Sequence, residues 1–185
     1  MLSEILFLGR GGQGGKTAAF IYAKAVAFNG YYIKAFPEYG PERTGAPVKA
    51  FIRISDKPIR LHSNIYNPTH FVLLDLTLAD YAKSLGFFNA SIILLNANEE
   101  QAMKIKSYTE NKIYYLDAKK ISIEEIGKNY PNIPLIGAFE KIMNLTTLDY
   151  LKKALIEVSG AKWSKEIIEK NGRALIRGFE EVKLL

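Results

Sequence analysis

The feature that most constrains the fold is a glycine-rich segment near the start of the chain, Gly-Arg-Gly-Gly-Gln-Gly-Gly-Lys-Thr over residues 9–17. A short apolar run at residues 5–8 precedes it, and an alanine-rich run continues from residue 17 to residue 29. This order predicts a buried strand, a loop large enough for a phosphate, and a helix. Bare backbone N–H groups at the start of a helix form an anion site. We therefore expect any bound phosphates at this first strand-to-helix turn.

Alternating strand and helix patterns follow the glycine-rich segment. Strands are predicted at residues 31–36, 48–55, 69–74, 90–95 and 112–116, with a short strand at 59–61 that could pair with 48–55 as a hairpin. Helices are predicted at residues 77–85, 99–108 and 121–129, then at 135–143, 148–158 and 163–181 without strands between them. This pattern indicates an α/β fold, a three-layer Rossmann-like α/β/α arrangement with a mostly parallel sheet and a helical C-terminal portion. We expect a single domain over residues 1–185, with an α/β core at 1–134 and a helical extension at 135–185 packed on it.

Composition limits the chemistry that the chain can perform. The absence of cysteine excludes disulfides, thiol catalysis and cysteine-bound iron–sulfur clusters on this chain. With only two histidines, we also expect no metal site. The net charge of +6 favours a polyanionic ligand, but the lysines are scattered, so no nucleic-acid partner is expected. No secretion signal or long apolar run is visible, so we expect a cytoplasmic protein that does not enter a membrane.

Three interpretations of the glycine-rich segment compete. Residues 9–14 satisfy the G-x-G-x-x-G pattern of dinucleotide sites, in which Glu38 could hold a ribose, although the proline-rich stretch after it is unlike such sites. A Walker loop would need glycine where Arg10 stands, so Gly15-Lys16-Thr17 is a near miss, with Asp75 as its one candidate magnesium ligand. The third interpretation is a tight structural turn.

Five glycines exceed what a turn needs, because each glycine costs backbone entropy on folding. Phosphate binding by the loop N–H groups, helped by charged and hydroxyl side chains, explains the excess better. The predicted phosphate-binding residues are Gly9, Arg10, Gly11, Gly12, Gln13, Gly14, Lys16 and Thr17.

The stretch from residue 36 to residue 47 holds three prolines and two glycines, which favour a stiff loop over a helix or a strand. It follows the second predicted strand, so it should lie at the same sheet edge as the glycine-rich segment. Its charged residues Glu38, Glu42 and Arg43 would then face the ligand crevice. The alternative is a solvated surface loop with an exposed Glu–Arg pair.

These motifs resemble those of a known family, the gamma subunits of pyruvate/2-oxoacid:ferredoxin oxidoreductases. The resemblance rests on Gly-Arg-Gly-Gly-Gln-Gly at 9–14, Ala-Phe-Pro-Glu-Tyr-Gly-Pro-Glu-Arg at 35–43, Gly-Ala-Pro-Val-Lys-Ala-Phe at 45–51 and Arg-Ile-Ser-Asp-Lys-Pro-Ile at 53–59. Leu-Ile-Gly-Ala-Phe at 135–139 and Lys170-Asn171 also fit. The beta subunit of indolepyruvate:ferredoxin oxidoreductase shares the glycine loop but is less similar over the proline-rich stretch.

The resemblance implies a non-autonomous subunit of a complex that oxidatively decarboxylates a 2-oxoacid such as pyruvate, forms acyl-coenzyme A and reduces ferredoxin. It implies thiamine diphosphate, magnesium and iron–sulfur clusters on partner chains, namely alpha, beta and ferredoxin-like delta subunits, and no catalytic residue on this chain. It implies that the glycine loop helps to bind coenzyme A, with Glu38, Glu42 and Arg43 as an active-site wall or subunit contact. The alternative is a stand-alone nucleotide-binding protein or NTPase.

Two departures from the family pattern, Thr44 and the run Gly15-Lys16-Thr17, bear on ligand affinity. Among other polar residues, Asp75 is expected to cap a helix, and His62 and His70 are expected to be structural. Trp163 is expected to pack the last helix, with an assembly interface as the alternative.

Overall fold

The computed structural model describes residues 1–39, 45–159 and 163–185. The strands of these residues are β1 Leu2–Arg10, β2 Tyr32–Tyr39, β3 Pro47–Ser55, β4 His70–Leu73, β5 Ile92–Asn96, β6 Lys112–Leu116 and β7 Lys183–Leu184. Their helices are α1 Gly15–Phe28, α2 Ala79–Ser84, α3 Glu99–Ile105, α4 Ala118–Ile126, α5 Asn132–Met143, α6 Leu148–Ser159 and α7 Lys165–Glu181. None of these helices has the length and apolar character needed to cross a bilayer.

The strands form one sheet in the order β2-β3-β1-β4-β5-β6-β7. Strands β1, β4, β5 and β6 are parallel neighbours, whereas β3 and β7 run antiparallel to the strands beside them. The predicted α/β fold with a mostly parallel central sheet is therefore confirmed. The chain leaves β1 toward one side of the sheet and later returns at β4 on the other side, so the carboxyl ends of β1 and β4 flank the crevice where such folds bind ligands.

The buried side chains of β1 explain the layers. Ile5 and Phe7 pack on one face of the sheet, with α1, α4, α5, α6 and α7. Leu6 and Leu8 pack on the other face, with α2 and α3. All four side chains are fully buried, which is why this strand is continuously apolar instead of alternating.

The predicted strand at residues 59–61 is wrong, because the segment 56–68 contains no strand. β3 pairs instead with β2 and β1. Arg53 holds the irregular segment in place, since its buried guanidinium forms an ion pair with Glu4 (2.7 Å) and donates to the carbonyl oxygen of Ser63 (2.7 Å).

The proline-rich stretch is also more ordered than expected at its start, because Pro37, Glu38 and Tyr39 belong to β2. Strand β2 lies at the edge of the sheet, where the missing N–H group of a proline is tolerated.

Helix α5 begins at Asn132, three residues before the predicted start. Pro134 lies in its first turn, where backbone N–H groups have no partner inside the helix and proline is tolerated. The sequence pattern did not predict β7, which follows α7 and pairs with β6.

Helices α5 and α7 touch backbone to backbone at two glycines. A Cβ atom built on Gly137 would lie 2.0 Å from the carbonyl oxygen of Leu175. A Cβ atom on Gly178 would lie 1.9 Å from the carbonyl oxygen of Pro134. Any larger residue at either position would push the two helices apart.

Candidate functional site

The glycine loop joins β1 to α1 at the carboxyl edge of the sheet. Gly12 and Gly14 have φ angles of 96° and 78°, a left-handed conformation that a side chain disfavours. Gly14 is the N-cap of α1, and no side chain of the described residues caps this helix start. The first N–H groups of α1 therefore point out of the loop, as an anion site requires.

Side chains of the loop itself fix its shape. The Gln13 amide accepts a hydrogen bond from the backbone N–H of Arg10 (2.7 Å) and donates to Asp75 Oδ2 (2.7 Å). The Arg10 guanidinium donates to Thr77 Oγ1 (2.8 Å from Nη2) and to the carbonyl oxygen of Gly45 (3.0 Å). These bonds tie the loop after β1 to the loop after β4.

Asp75 is the anchor of this network. It accepts hydrogen bonds from the backbone N–H (2.9 Å) and hydroxyl (2.7 Å) of Thr77, so it caps the 3₁₀ turn at Leu76–Leu78, in line with the predicted capping role. Partial burial opposes ionisation, but the hydrogen bonds from Thr77 and Gln13 and the charge of Arg10 hold the pKa of Asp75 below its ordinary value. Asp75 is therefore an ionised acceptor held by groups of its own chain.

The end of β2 and the residues just before β3 reach the same edge. The backbone N–H of Gly11 donates to the carbonyl oxygen of Ala46 at 3.0 Å. Glu38 lies near the end of β2 and forms an ion pair with Lys49 (2.9 Å), the residue opposite it on β3. Glu42 and Arg43 lie outside the described residues.

Two cavities flank the loop and differ in charge. The first, here called the loop–helix cavity, has a volume of about 400 Å³ and is lined by groups that include Gly12, Gly14, Thr17, Lys128, Asn132 and Trp163. The second, here called the acidic cavity, has a volume of about 270 Å³ and is lined by groups that include Gln13, Asp75, Asn96, Asp117 and Lys119. Among the described lining residues, the first cavity has one cation, Lys128, and no carboxylate, whereas the second has two carboxylates and one cation, Lys119. An anion is therefore favoured in the loop–helix cavity.

Asn132 lies in the wall of the loop–helix cavity next to the loop. The residue is only 6% exposed, and a Cβ atom placed on Gly14 would lie 2.5 Å from its Nδ2 atom. Within the described part of the chain, its side-chain amide forms no hydrogen bond, although it is open to the cavity. Since no buried side-chain polar atom lacks a partner among the described residues, the Asn132 amide is reached by solvent through this cavity.

The structure brings only some of the predicted phosphate-binding residues to the loop–helix cavity. Gly12, Gly14 and Thr17 line the loop–helix cavity. Arg10 and Gln13 hold the loop, and Gly9 is buried in β1, where a Cβ atom would lie 3.0 Å from Gln13 Oε1.

Lys16 is exposed on the first turn of α1, with its Nζ atom 5.7 Å from the centre of the Phe20 ring. Sequence reasoning missed Asn132 and Lys128. The only signal for Asn132 was a polar residue between Pro131 and Pro134 at the start of an apolar helix.

The chain matches the pyruvate ferredoxin/flavodoxin oxidoreductase family over residues 4–181. The pyruvate synthase subunit PorC of Thermotoga maritima is 40% identical over 181 residues, covering 97% of this chain and 94% of that protein. The common gamma subunit of the pyruvate/ketoisovalerate oxidoreductases of Pyrococcus furiosus is 37% identical, covering 98% of this chain and 97% of that protein.

Solved structures agree with these sequence matches. The crystal structure of the pyruvate oxidoreductase subunit PORC from Thermotoga maritima superposes with a TM-score of 0.83 at 36% identity, covering 99% of this chain and 98% of that chain. The 2-oxoglutarate:ferredoxin oxidoreductase of Magnetococcus marinus, solved with 2-oxoglutarate, coenzyme A and succinyl-CoA bound, shares the fold, with a TM-score of 0.77 at 16% identity, over 96% of this chain and 30% of that chain. The chain therefore belongs to the pyruvate ferredoxin/flavodoxin oxidoreductase family, as a gamma-type subunit of a 2-oxoacid:ferredoxin oxidoreductase complex.

Proposed function

We propose that this subunit holds the phosphates of coenzyme A on its glycine loop while the assembled complex converts a 2-oxoacid, foremost pyruvate, to acyl-coenzyme A and CO₂ and reduces ferredoxin. The observation that carries the proposal is a helix N-terminus that no described side chain caps. It opens, through Gly12 and Gly14, into a cavity whose described lining has one cation and no carboxylate. Backbone N–H groups and the helix dipole favour an anion at this position. The Thr17 hydroxyl lines the same cavity and adds a donor.

The redox and decarboxylation chemistry is assigned to partner chains. Thiamine diphosphate and magnesium would lie on the alpha and beta subunits or on a ferredoxin-like delta subunit. The iron–sulfur clusters would also lie on these partner chains, because this chain has no cysteine to ligate a cluster. Ferredoxin would be the electron acceptor of the complex. Lys16 would add positive charge near the phosphates, and Glu38, Glu42 and Arg43 would form the active-site wall or a subunit contact.

The stand-alone NTPase is the weaker alternative. It would use Asp75 to hold magnesium, yet the Asp75 carboxylate already accepts bonds from Gln13 and Thr77 and neighbours Arg10. The loop also lacks the first glycine of a Walker sequence, since Arg10 stands there.

The test is the steady-state kinetics of the complex reconstituted with a Gly12→Ala subunit. A Cβ atom at Gly12 would meet no atom of the described residues within 4 Å, so it would project into the space assigned to the phosphates. We expect KM for coenzyme A to rise at least about tenfold, equivalent to about 1.4 kcal/mol of lost binding, with KM for the 2-oxoacid unchanged.

Gly30→Ala is the matched control. Gly30 has a φ angle of 87° and the same open surroundings, but it lies at the opposite end of α1. Both variants carry the same backbone strain, so a rise in KM for coenzyme A in both, or in neither, would overturn the proposal.

A further inference from the structure

The connection from β3 to β4 is much longer than the geometry of the sheet requires. Residues 56–68, here called the amino-edge loop, contain no helix or strand. The two ends of the loop flank β1, because Ser55 pairs with Leu2 and the backbone N–H of Thr69 donates to the carbonyl oxygen of Glu4 (2.7 Å). Strands on either side of a third strand lie roughly 10 Å apart, a gap that about three residues can span. A compact loop of this length without secondary structure usually has a function of its own.

The sheet holds the amino-edge loop in one conformation. The buried guanidinium of Arg53 on β3 donates to the carbonyl oxygen of Ser63 (2.7 Å). The ammonium group of Lys34 on β2 donates to the carbonyl oxygen of Leu61 (2.6 Å). Ile65 inserts its side chain into the core and is only 3% exposed. Because the backbone is already fixed, a partner that binds the loop has little conformational entropy to remove.

Large apolar side chains of the amino-edge loop nevertheless face the solvent. Leu61 and Tyr66, which lie on either side of Ser63 along the chain, are 47% and 72% exposed. Their burial would stabilise the fold, yet the anchors of the loop leave both side chains outside the core. Tyrosine next to arginine is the composition that dominates the energetics of protein–protein contacts.

The charge of the amino-edge loop is positive. Lys57 and Arg60 are exposed, and neither side chain has an ion-pair partner among the described residues. Asp56 is the one carboxylate in the sequence of the loop, and it already pairs with the amino group of Met1 (2.7 Å). The surface that accepts this loop must therefore be apolar in its centre and carry carboxylates at its rim.

We propose that the amino-edge loop docks this chain onto a partner subunit of the oxidoreductase complex, in an apolar pocket rimmed by carboxylates. Leu61 and Tyr66 enter the pocket, and Lys57 and Arg60 pair with its rim. The loop lies at the edge of the sheet opposite the glycine loop, so a subunit bound there leaves the ligand crevice open. This inference rests on the gamma-type subunit assignment and not on the proposed contact with coenzyme A.

The first test measures assembly. The remaining subunits of the complex are immobilised through a tag and titrated with the wild-type chain or with Tyr66→Ala, and the dissociation constant of the subunit is measured. We expect Tyr66→Ala to raise it at least about tenfold, equivalent to about 1.4 kcal/mol. Tyr81→Ala is the matched control, because Tyr81 is a 38% exposed tyrosine on α2. Both variants should keep the melting temperature of the wild-type chain.

The second test reverses a charge. Arg60→Glu brings a carboxylate against the acidic rim, so the dissociation constant should rise at least about thirtyfold, with slower association. Lys106→Glu is the control, since Lys106 is an exposed cation just after α3 with no ion pair among the described residues. Added salt should weaken binding of the wild-type chain more than that of Arg60→Glu. Equal dissociation constants for the two variants would refute the acidic rim.

The remaining outcomes also decide the proposal. A wild-type dissociation constant for Tyr66→Ala overturns it, and so does a matching loss of melting temperature, which would mean that Tyr66 stabilises the fold. If the lone chain forms dimers that Tyr66→Ala dissociates while assembly with the other subunits is unchanged, the loop binds a second copy and the assignment to a partner subunit is overturned. KM for coenzyme A of the fully assembled Tyr66→Ala complex should equal the wild-type value, so the Gly12→Ala experiment tests the proposed function separately.

Discussion

Glycines occur in two regions of this molecule for opposite reasons. In the loop after β1, Gly12 has a positive φ angle, and a Cβ atom there would meet nothing within 4 Å. At the crossing of α5 and α7, a Cβ atom on Gly178 would lie 1.9 Å from a backbone oxygen, and no positive φ angle is involved. The missing side chain of Gly12 leaves open space at the loop. The missing side chain of Gly178 instead lets the backbones of α5 and α7 come into contact.

The comparison shows when a missing side chain indicates a ligand. Only where the vacated space is empty of protein can another molecule use it. Gly14 belongs to both classes, because it has a positive φ angle and its vacated space is taken by Asn132. Substitutions at both kinds of glycine, and at the side chains around them, test this distinction.

The largest loss of stability is expected for Gly178→Ala. The new methyl group would collide with the backbone of α5, so we expect a loss of at least about 3 kcal/mol of folding free energy. Denaturant unfolding of the purified chain measures this loss. Gly172→Ala, on the same helix with nothing within 4 Å, should instead stabilise the chain by about 0.5–1 kcal/mol. Equal stabilities of the two variants would refute the close backbone contact.

Gly14→Ala combines the two costs, a positive φ angle and a steric clash. The left-handed conformation costs roughly 1–2 kcal/mol for a residue with a Cβ atom, and the displacement of Asn132 adds to it. We expect a larger loss of stability than for Gly12→Ala. In a double-mutant cycle of thermal unfolding, Asn132→Ala should recover part of the Gly14→Ala loss, with a coupling energy of about 0.5–3 kcal/mol. Additive effects would mean that the two residues do not meet.

Asp75→Asn tests the hydrogen-bond network that fixes the conformation of the glycine loop. The variant weakens the bonds to Gln13 and Thr77 and should cost about 1–3 kcal/mol of stability while raising KM for coenzyme A a few-fold. Since the pKa of Asp75 is lowered from 3.8, its contribution is present above that pH and is lost as the pH falls below it. Asp117→Ala, which removes the cap of α4 and also lies in the acidic cavity, should reduce stability without changing KM.

The smallest expected effect is a pH dependence of stability where α5 packs on α1. Glu140 on α5 accepts hydrogen bonds from the hydroxyl of Tyr22 (3.1 Å) and the backbone N–H of Thr146 (2.9 Å), but burial raises its pKa above 4.5. A raised pKa means that the folded state favours the protonated carboxyl, so stability relative to Glu140→Gln should fall as the pH rises above 4.5. Melting temperatures between pH 4 and pH 8 measure this difference.

Glu125→Gln provides a comparison of opposite sign. The ion pairs with Arg173 and Arg177 lower the pKa of Glu125, so the wild-type chain should gain stability relative to this variant as the pH rises through the acidic range. Parallel pH profiles of the two variants would contradict the assignment.

Much of the fold could be predicted because its signals are local. The apolar run of β1, the glycine loop and the helix-ending Gly30 each occupy a few consecutive residues, and the structure has each of them, Gly30 with a φ angle of 87°. The strand expected at 59–61 is absent because both edges of β3 are already paired, one with β2 and the other with β1, which is distant in sequence.

Only the glycines of the candidate site could be predicted from the sequence, because they form a recognisable motif. Gly12 and Gly14 follow from the motif, but Asn132 meets Gly14 only after the chain has crossed the sheet several times. No periodicity links the two residues. In the same way, Arg10 was expected to face a ligand by its charge, yet its guanidinium bonds Thr77 and Gly45.

The short strand β7 has a consequence for solubility. It covers the outer edge of β6, and the backbone N–H of Leu185 extends the pairing to the carbonyl oxygen of Ile113 at 2.9 Å. An uncovered strand edge is a template for pairing with other chains. The opposite edge of the sheet carries Lys34 and Pro37, a charge and a missing N–H group, which oppose such pairing. The exposed strand Lys183–Leu184 therefore blocks the edge of β6 from pairing with other chains. Its removal is expected to promote self-association more than unfolding.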